Sequence, residues 1–342
     1  MQTPILEQVR TSLTEKRDGL RHWLSRSPAE TKSRRLGPAK EEAVAAHLVR
    51  LEDSIALAEV GDLGRCVVCH DTVDTERLVV DYTAMVCLSH LSAAEASRLE
   101  REIELAQLVQ QALLPGEIPS LPGVEIAAFT RPAEFVGGDY FDFLAFQTGD
   151  LALVIGDVAG HGVSAGMQMA GVQALCRAII PTHPSPAEAV DQIHRLFVHN
   201  SRFTTFVSLF LASYNAANRT LTYCNAGHNP PMLLKAEGRG ASPVRWLNPT
   251  GAAIGLIEEP AFEQSVIRLA PGDLLVMYTD GVVEATSDGR GMFGPERLVD
   301  AVLPSRGGSP GDVVRAITGA LEEFAGQKAF SDDATIVVCR IT

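Results

Sequence analysis

The sequence has no recognisable export signal and no long apolar run. Its first ten residues, MQTPILEQVR, contain nothing like the apolar centre of a signal peptide. A membrane-spanning helix needs about 18 apolar residues, and the nearest candidate, residues 151–176, is interrupted by Asp157 and His161. We therefore expect a cytoplasmic protein with no membrane partner.

The sequence also lacks an excess of positive charge. Its 342 residues hold 29 Lys and Arg against 42 Asp and Glu, a formal net charge of −13. Binding to a nucleic-acid duplex depends on cations that neutralise phosphates, so a nucleic-acid partner is not favoured. Internal repeats are missing too, and the length favours two or three folded units.

The N-terminal 60 residues predict two helices. Apolar side chains recur at 3-4 spacing over residues 4–26 and again over 44–58, with a polar, proline-containing loop between them. Two such stripes joined by a short loop predict an antiparallel helical hairpin over residues 1–60. A third helical stretch, 91–114, reads as a linker that ends at Pro115.

The sequence predicts a single domain of helices and strands over residues 115–342. Two longer helices are expected at about 163–180 and 186–199, among short alternating strands. Because strands come in runs, the pattern favours an α+β sandwich over a doubly wound sheet. The clearest strands are 123–129, 151–157, 206–214, 274–278 and 334–340.

Between hairpin and linker, residues 61–90 contain a compact Cys/His pattern. Two pairs, Cys66-x2-Cys69 and Cys87-x2-His90, are separated by 17 residues. Two short knuckles at this distance supply the four ligands of a tetrahedral structural zinc site. The metal would replace a core that such a short segment cannot build, and its thiolates would remain oxidisable.

The alternative for these cysteines is covalent haem. Cys66-Val-Val-Cys69-His70 also matches c-type haem attachment, but that chemistry needs export and would leave Cys87 and His90 unexplained. The remaining cysteines stand in apolar runs and are expected to be buried. They are Cys176, Cys224 and Cys339.

The segment resembles the zinc-finger class of the DksA/TraR regulators. The resemblance rests on GRCVVCH (64–70), ERL (76–78) and MVCLSH (85–90), following a helical hairpin. It departs in its last ligand, His90 instead of cysteine, and in a basic hairpin tip. Members of that class act on RNA polymerase through the hairpin; with the tip changed, we carry over the fold and not that activity.

Four short acidic motifs mark the C-terminal 220 residues. They are GGDYFD (137–142), GDVAGHG (156–162), TDGVVEA (279–285) and SDDAT (331–335). A single Asp-Gly is usually a turn, but each of these adjoins a predicted apolar strand. Carboxylates gathered at strand ends repel one another unless cations neutralise them, and oxygen ligands select Mg²⁺ or Mn²⁺. The motifs therefore indicate a two-metal, water-activating site.

In this order the four motifs resemble the SpoIIE/RsbU-type branch of the PPM phosphatases over residues 120–342. Two further stretches agree, TFVSLFLA (205–212) and CNAGHNPP (224–231). The resemblance implies an α/β/β/α sandwich of two antiparallel sheets with metals between them. It implies these ligands: Asp139 and Asp157 on the shared metal pair, Val158 through its carbonyl, and Asp280 and Asp332 on the second ion, with Asp333 as a further candidate.

The resemblance further implies direct hydrolysis of phosphoserine or phosphothreonine on a regulatory protein, such as an anti-sigma-factor antagonist. Water activated by the cations attacks phosphorus without a phosphoenzyme. His161 and His228 are each a proton carrier or a structural group, and Arg131 is the nearest phosphate-binding candidate. A homodimer regulated by its N-terminal segment is expected. The alternatives are a non-catalytic binding module and an RNA-polymerase-associated regulator.

Overall fold

A computed structural model describes most of the chain, in two compact units, Met1–Glu102 and Ile103–Thr342. The described residues are 3–26, 41–59, 63–66, 68–71, 73, 86–87, 90, 93–119, 123–133, 135–160, 162–200, 206–236, 244–257, 259–287, 290–326, 330 and 332–342. The division falls inside a helix, whereas the sequence suggested a boundary between residues 114 and 115.

The first unit contains two packed helices. They are α1 (Thr3–Arg26) and α2 (Glu41–Glu59), and the chain joining them lies outside the described residues. Leu13 of α1 packs with Leu48, Leu51 and Ile55 of α2 in a small apolar cluster. An ion pair between Arg21 and Glu52 lies at its edge. The helices occupy the two predicted stripes, whose 3-4 spacing places their leucines on one face.

The third helix, α3 (Ala93–Leu113), spans the division between the units. Its bounds agree closely with the predicted linker, 91–114. Apolar side chains at 105, 108 and 109 stand on its exposed side, and all three are more than half exposed: Leu105 61%, Leu108 62% and Val109 55%.

The second unit is built on two five-stranded sheets. One has the order β1-β12-β9-β6-β7 and the other β2-β3-β4-β5-β8, with all neighbouring strands antiparallel. Their bounds are β1 Val124–Arg131, β2 Asp139–Ala145, β3 Leu151–Val158, β4 Val207–Asn215, β5 Thr220–Ala226, β6 Met232–Leu234, β7 Val244–Trp246, β8 Ser265–Arg268, β9 Leu274–Tyr278 and β12 Ala334–Ile341. A small hairpin joins β10 (Thr286–Ser287) to β11 (Gly291–Met292).

Helices cover both outer faces of the sandwich. Those on the β2-β3-β4 side are α4 (Gly162–Ile179) and α5 (Pro186–Asn200); those on the other side are α7 (Gly294–Val302) and α8 (Pro310–Ala325). Among the described residues there are also one-turn α6 (Asp280–Val283) and 3₁₀ turns at Ile180–Thr182 and Leu303–Ser305. The predicted α+β sandwich of two antiparallel sheets is confirmed, with the layer order α/β/β/α.

The strands alternate between two apolar cores, as the period of two requires. Along β3, Leu153 and Ile155 face the opposite sheet, while Ala152 and Val154 face the helices. This dual burial explains why the central strands read as continuous apolar runs. It also accounts for α4: Gly162–Thr182 is long and apolar enough to cross a membrane, yet Met169 and Cys176 lie in the core of the sandwich.

The predicted strands were found within two residues of their expected bounds, as β1, β3, β4, β9 and β12. The sequence reading gave no bounds for β2, and it missed β5 and the short strands β6 to β8, together with α7 and α8. The amphipathic α8 carries a capping box in which Ser309 and Asp312 satisfy each other's backbone amides, a signal that could have marked its start.

Candidate active site

Four acidic motifs converge at one end of the sandwich, and strand register explains how. Asp139 and Asp157 are direct partners across the β2–β3 pair. In the other sheet, β9 ends where β12 begins, since Tyr278 pairs with Ile336. Asp280 therefore comes close to Asp332, and the two sheets face each other with two acidic segments apiece.

A hydrogen bond joins the two sheets at this point. The Thr279 hydroxyl donates to Asp139 Oδ2 at 2.8 Å, and the Thr335 amide donates to the Thr279 hydroxyl at 2.9 Å. Both threonines are fully buried. The other carboxylate oxygen of Asp139, Oδ1, is buried and has no hydrogen-bond partner among the described residues. An unsatisfied buried acceptor of this kind is costly unless a cation or another donor meets it.

The carboxylates perturb one another strongly. Burial, and next the charge of Asp157, raise the pKa of Asp139 well above its usual range. Burial and repulsion from Asp280 and Asp332 raise the pKa of Asp157 to about 7. Burial and repulsion from Asp332 raise the pKa of Asp280 to about 6. Such shifts show that the folded protein holds negative charges together against repulsion, which bound cations would reverse.

The fit to divalent cations rests on this donor set. All available groups are hard oxygens, as Mg²⁺ and Mn²⁺ require. The Val158 carbonyl faces Gly138, where an added Cβ would lie only 2.8 Å away, so glycine leaves that oxygen accessible. The unsatisfied Asp139 oxygen and the exposed Asp332 add further hard oxygen donors to this set.

The fifth carboxylate, Asp333, is engaged differently. It is 7% exposed. Its Oδ1 accepts the Ala133 amide at 2.8 Å and its Oδ2 accepts the Gly138 amide at 2.6 Å. Both oxygens therefore hold the chain that leads into β2.

The C-terminal half of α3 holds the same stretch of chain. Gln110 forms a paired amide contact with Gly137: its Nε2 donates to the carbonyl at 2.6 Å, and its Oε1 accepts the amide at 3.0 Å. The Leu113 carbonyl at the end of α3 accepts from Gln173 and Arg177 of α4. Arg177 also pairs with the buried Asp142 at 2.7 Å. Sequence reasoning missed these contacts because no local motif marks them.

The sequence left the roles of three residues open: His161, His228 and Arg131. His161 lies outside the described residues. His228 is buried, contacts the Ser208 hydroxyl at 2.8 Å, and has its pKa lowered to about 4 by burial, so it is neutral near pH 7. That environment favours a structural role over proton transfer. Arg131 is exposed at the end of β1, with its guanidinium over the Phe330 ring.

The Cys/His pattern also comes together, within the first unit. One donor atom each from Cys66, Cys69, Cys87 and His90 lies within 4.8 Å of the others. The Cys69 and Cys87 sulfurs are 3.8 Å apart, and His90 Nδ1 lies 3.9 Å from the Cys66 sulfur and 2.9 Å from that of Cys87. Cys176, Cys224 and Cys339 are buried, as expected.

Comparison with known proteins identifies the family to which this fold and site belong. Residues 147–342, more than half of the chain, match the family model for stage II sporulation protein E (SpoIIE). Protein IcfG of Synechocystis sp. is 32% identical over 230 residues, covering 59% of this chain and 35% of IcfG. Phosphoserine phosphatase RsbU of Bacillus subtilis is 26% identical over 244 residues, covering 71% of this chain and 70% of RsbU.

Among solved structures, the SiaA-PP2C domain of Pseudomonas aeruginosa has a TM-score of 0.64 at 22% identity. The match covers 74% of this chain and 100% of that domain. This likeness establishes the PP2C fold of the second unit. The chain spans only about a third of IcfG, whose remaining regions have no counterpart in the match.

Proposed function

The chain belongs to the SpoIIE family and carries a PP2C-type phosphatase domain, and on that premise we propose that it is a metal-dependent protein serine/threonine phosphatase. The observation that carries the proposal is the convergence of acidic residues from both sheets around the unsatisfied Asp139 oxygen. PP2C-type phosphatases use Mn²⁺ or Mg²⁺. The ligands we propose here are Asp139, Asp157, Asp280, Asp332 and the Val158 carbonyl.

The protein's own groups hold this arrangement open for two cations. Thr279 fixes one oxygen of Asp139 and leaves the other directed into the site. Asp157 and Asp280 have pKa values of about 7 and about 6, so part of their charge is already present at neutral pH. When bound, a divalent cation pair supplies a deprotonated water and neutralises the phosphoryl oxygens.

The direct test is hydrolysis of a generic phosphate ester, with Mn²⁺ and with chelator. Wild type should turn over only with metal, and Asp157→Asn should lose activity by about 10²-fold or more. Asp191→Asn, which removes a carboxylate paired with Arg195 on α5, is the control and should match wild type. Equal activity of Asp157→Asn and wild type would refute the site.

The substrate we propose is phosphoserine or phosphothreonine on a regulatory protein in the cytoplasm. The relative RsbU, which is named a phosphoserine phosphatase, supports this class.

We further propose that the N-terminal segment regulates the enzyme and that the chain forms a homodimer. The exposed apolar side chains of α3 support this: Leu105, Leu108 and Val109 lie at helical spacing on one face. A monomer at micromolar concentration, measured by light scattering, would contradict the dimer.

We also propose one structural zinc ion bound by Cys66, Cys69, Cys87 and His90. A tetrahedron with Zn–S of about 2.3 Å and Zn–N of about 2.0 Å has S–S edges of about 3.8 Å and S–N edges of about 3.5 Å. The 3.8 Å between the Cys69 and Cys87 sulfurs fits such an edge, the Cys66–His90 distance of 3.9 Å is slightly longer, and the Cys87–His90 distance of 2.9 Å is shorter. Metal analysis should give one zinc per chain and none in Cys66→Ser. The resemblance to the DksA/TraR class stays a prediction.

A further inference from the structure

Asp333 connects distant parts of the chain through both of its carboxylate oxygens. The amides it accepts, from Ala133 at 2.8 Å and Gly138 at 2.6 Å, come from residues 200 and 195 positions away in sequence. The side chain is buried, and hydrogen bonds from backbone amides to a buried carboxylate are strong. The carboxylate therefore fixes the chain that enters β2.

The surroundings of Asp333 require close approach by glycines. A Cβ at Gly137 would lie 2.5 to 2.9 Å from the carboxylate atoms. A Cβ at Gly281 would overlap the Asp333 backbone carbonyl. The close packing of three segments here thus depends on glycine at two positions, which gives the TDG and GGD motifs a physical explanation.

Each contacted segment adjoins a proposed metal ligand. Gly138 precedes Asp139, Gly281 follows Asp280, and Asp333 itself follows Asp332. We propose that Asp333 is a positioning residue and is not itself a cation ligand: its carboxylate is a clamp that holds the Gly138 segment and so sets the position of Asp139 relative to Asp332. Its backbone packs against Gly281, beside Asp280. This inference rests on the proposed metal-dependent function.

A carboxylate suits this position better than an amide. Two N–H donors converge on the side chain, and only a carboxylate offers two acceptor oxygens. Asparagine would satisfy one amide and turn its own NH₂ toward the other, leaving a buried donor unmatched. The loop before Asp139 would then move, and the ligand set would open.

The experiment is a calorimetric Mn²⁺ titration of the full-length protein, with ester hydrolysis recorded in parallel. Asp333→Asn should still bind two ions at saturation, with at least a tenfold weaker affinity. Gly137→Ala, which keeps every carboxylate but pushes on the clamp, should weaken binding in the same direction. This second variant keeps the test valid if Asp333→Asn folds poorly.

Matched controls separate positioning from general stability. Asp273 is 1% exposed and also accepts two backbone amides, from Ala236 and Ala270, both at 2.9 Å. It stands at the opposite end of β9 from Asp280. Asp273→Asn should lower the melting temperature without changing Mn²⁺ affinity. Gly171→Ala, which places its Cβ in open space, should resemble wild type.

Two results would overturn the proposal. Mn²⁺ affinity within twofold of wild type in both Asp333→Asn and Gly137→Ala would show that the clamp does not set the ligands. Loss of one ion at saturation in Asp333→Asn alone would make Asp333 a direct ligand. Because binding is measured by heat, a chain that binds two ions without hydrolysing esters would fail the proposed function and leave this inference intact.

Discussion

Replacing Asp157 with asparagine should stabilise the metal-free protein while abolishing its activity. Burial and neighbouring carboxylates raise the pKa of Asp157 from 3.8 to about 7. The unfolded chain has no such perturbation, so the folded state binds the proton more tightly. Stability of the metal-free protein therefore falls as pH rises from about 4 to about 7, and the loss is complete above that window.

The size of the effect follows from the shift. About three pKa units at 1.36 kcal/mol each correspond to about 4 kcal/mol of destabilisation at pH 8. Because the side chain is partly exposed, solvent screening reduces the expected destabilisation to between about 2 and about 4 kcal/mol. Asparagine has no charge to repel Asp280 or Asp332, so the variant should avoid this cost. At pH 4.5 the advantage should shrink to about 1 kcal/mol or less.

The assay is urea unfolding followed by tryptophan fluorescence in chelator at pH 4.5 and pH 8. The chain has two tryptophans, so a Trp23→Phe background leaves Trp246 of β7 to report on the sandwich alone. With saturating Mn²⁺ the order should reverse, because only the intact site gains binding free energy. Equal or lower stability of metal-free Asp157→Asn at pH 8 would refute the repulsion argument.

Two further predictions concern contacts of α3 and α4. Gln110→Leu removes the paired contact with Gly137 and should lower the rate of ester hydrolysis about tenfold at limiting Mn²⁺. The control Gln111→Leu changes an exposed neighbouring position and should leave the rate unchanged. Equal effects of the two variants would contradict a specific role for Gln110. Arg177→Met leaves the buried Asp142 carboxylate without its cation and should lower the free energy of unfolding by about 3 kcal/mol in urea. Adding Asp142→Asn to this variant should recover part of the lost stability. No loss in the single variant would show that the Tyr140 hydroxyl and the Phe143 amide are enough to stabilise the carboxylate.

The sequence allowed the acidic segments to be found because their signals are local. An aspartate beside glycine near an apolar strand can be recognised within about seven residues, and three such motifs together with SDDAT limited the possible chemistry. The Cys/His pairs were equally local, since each knuckle spans four residues. Strands β6 to β8 were missed for the opposite reason: at three or four residues they are too short to show an alternating pattern.

The supporting contacts were beyond local reading because their partners are far apart in sequence. Thr279 meets Asp139 across 140 positions, and Gln110 meets Gly137 across 27 positions without any shared motif. The same limit affected Asp333, which the sequence could assign only as one more candidate ligand. Its carboxylate accepts two amides that no spacing rule connects to it.

These two classes of residue are physically dependent on each other. Carboxylates at the ends of separate strands would move apart under their own repulsion if nothing else restrained them. Thr279 restrains Asp139 from the opposite sheet, and the Asp333 carboxylate restrains the segment that carries Asp139. The restraint lowers the stability of the metal-free fold, but it places the oxygens before a cation arrives, so less free energy is spent on rearrangement during binding. Metal affinity in this protein should therefore depend on these non-ligating residues as well as on the ligands.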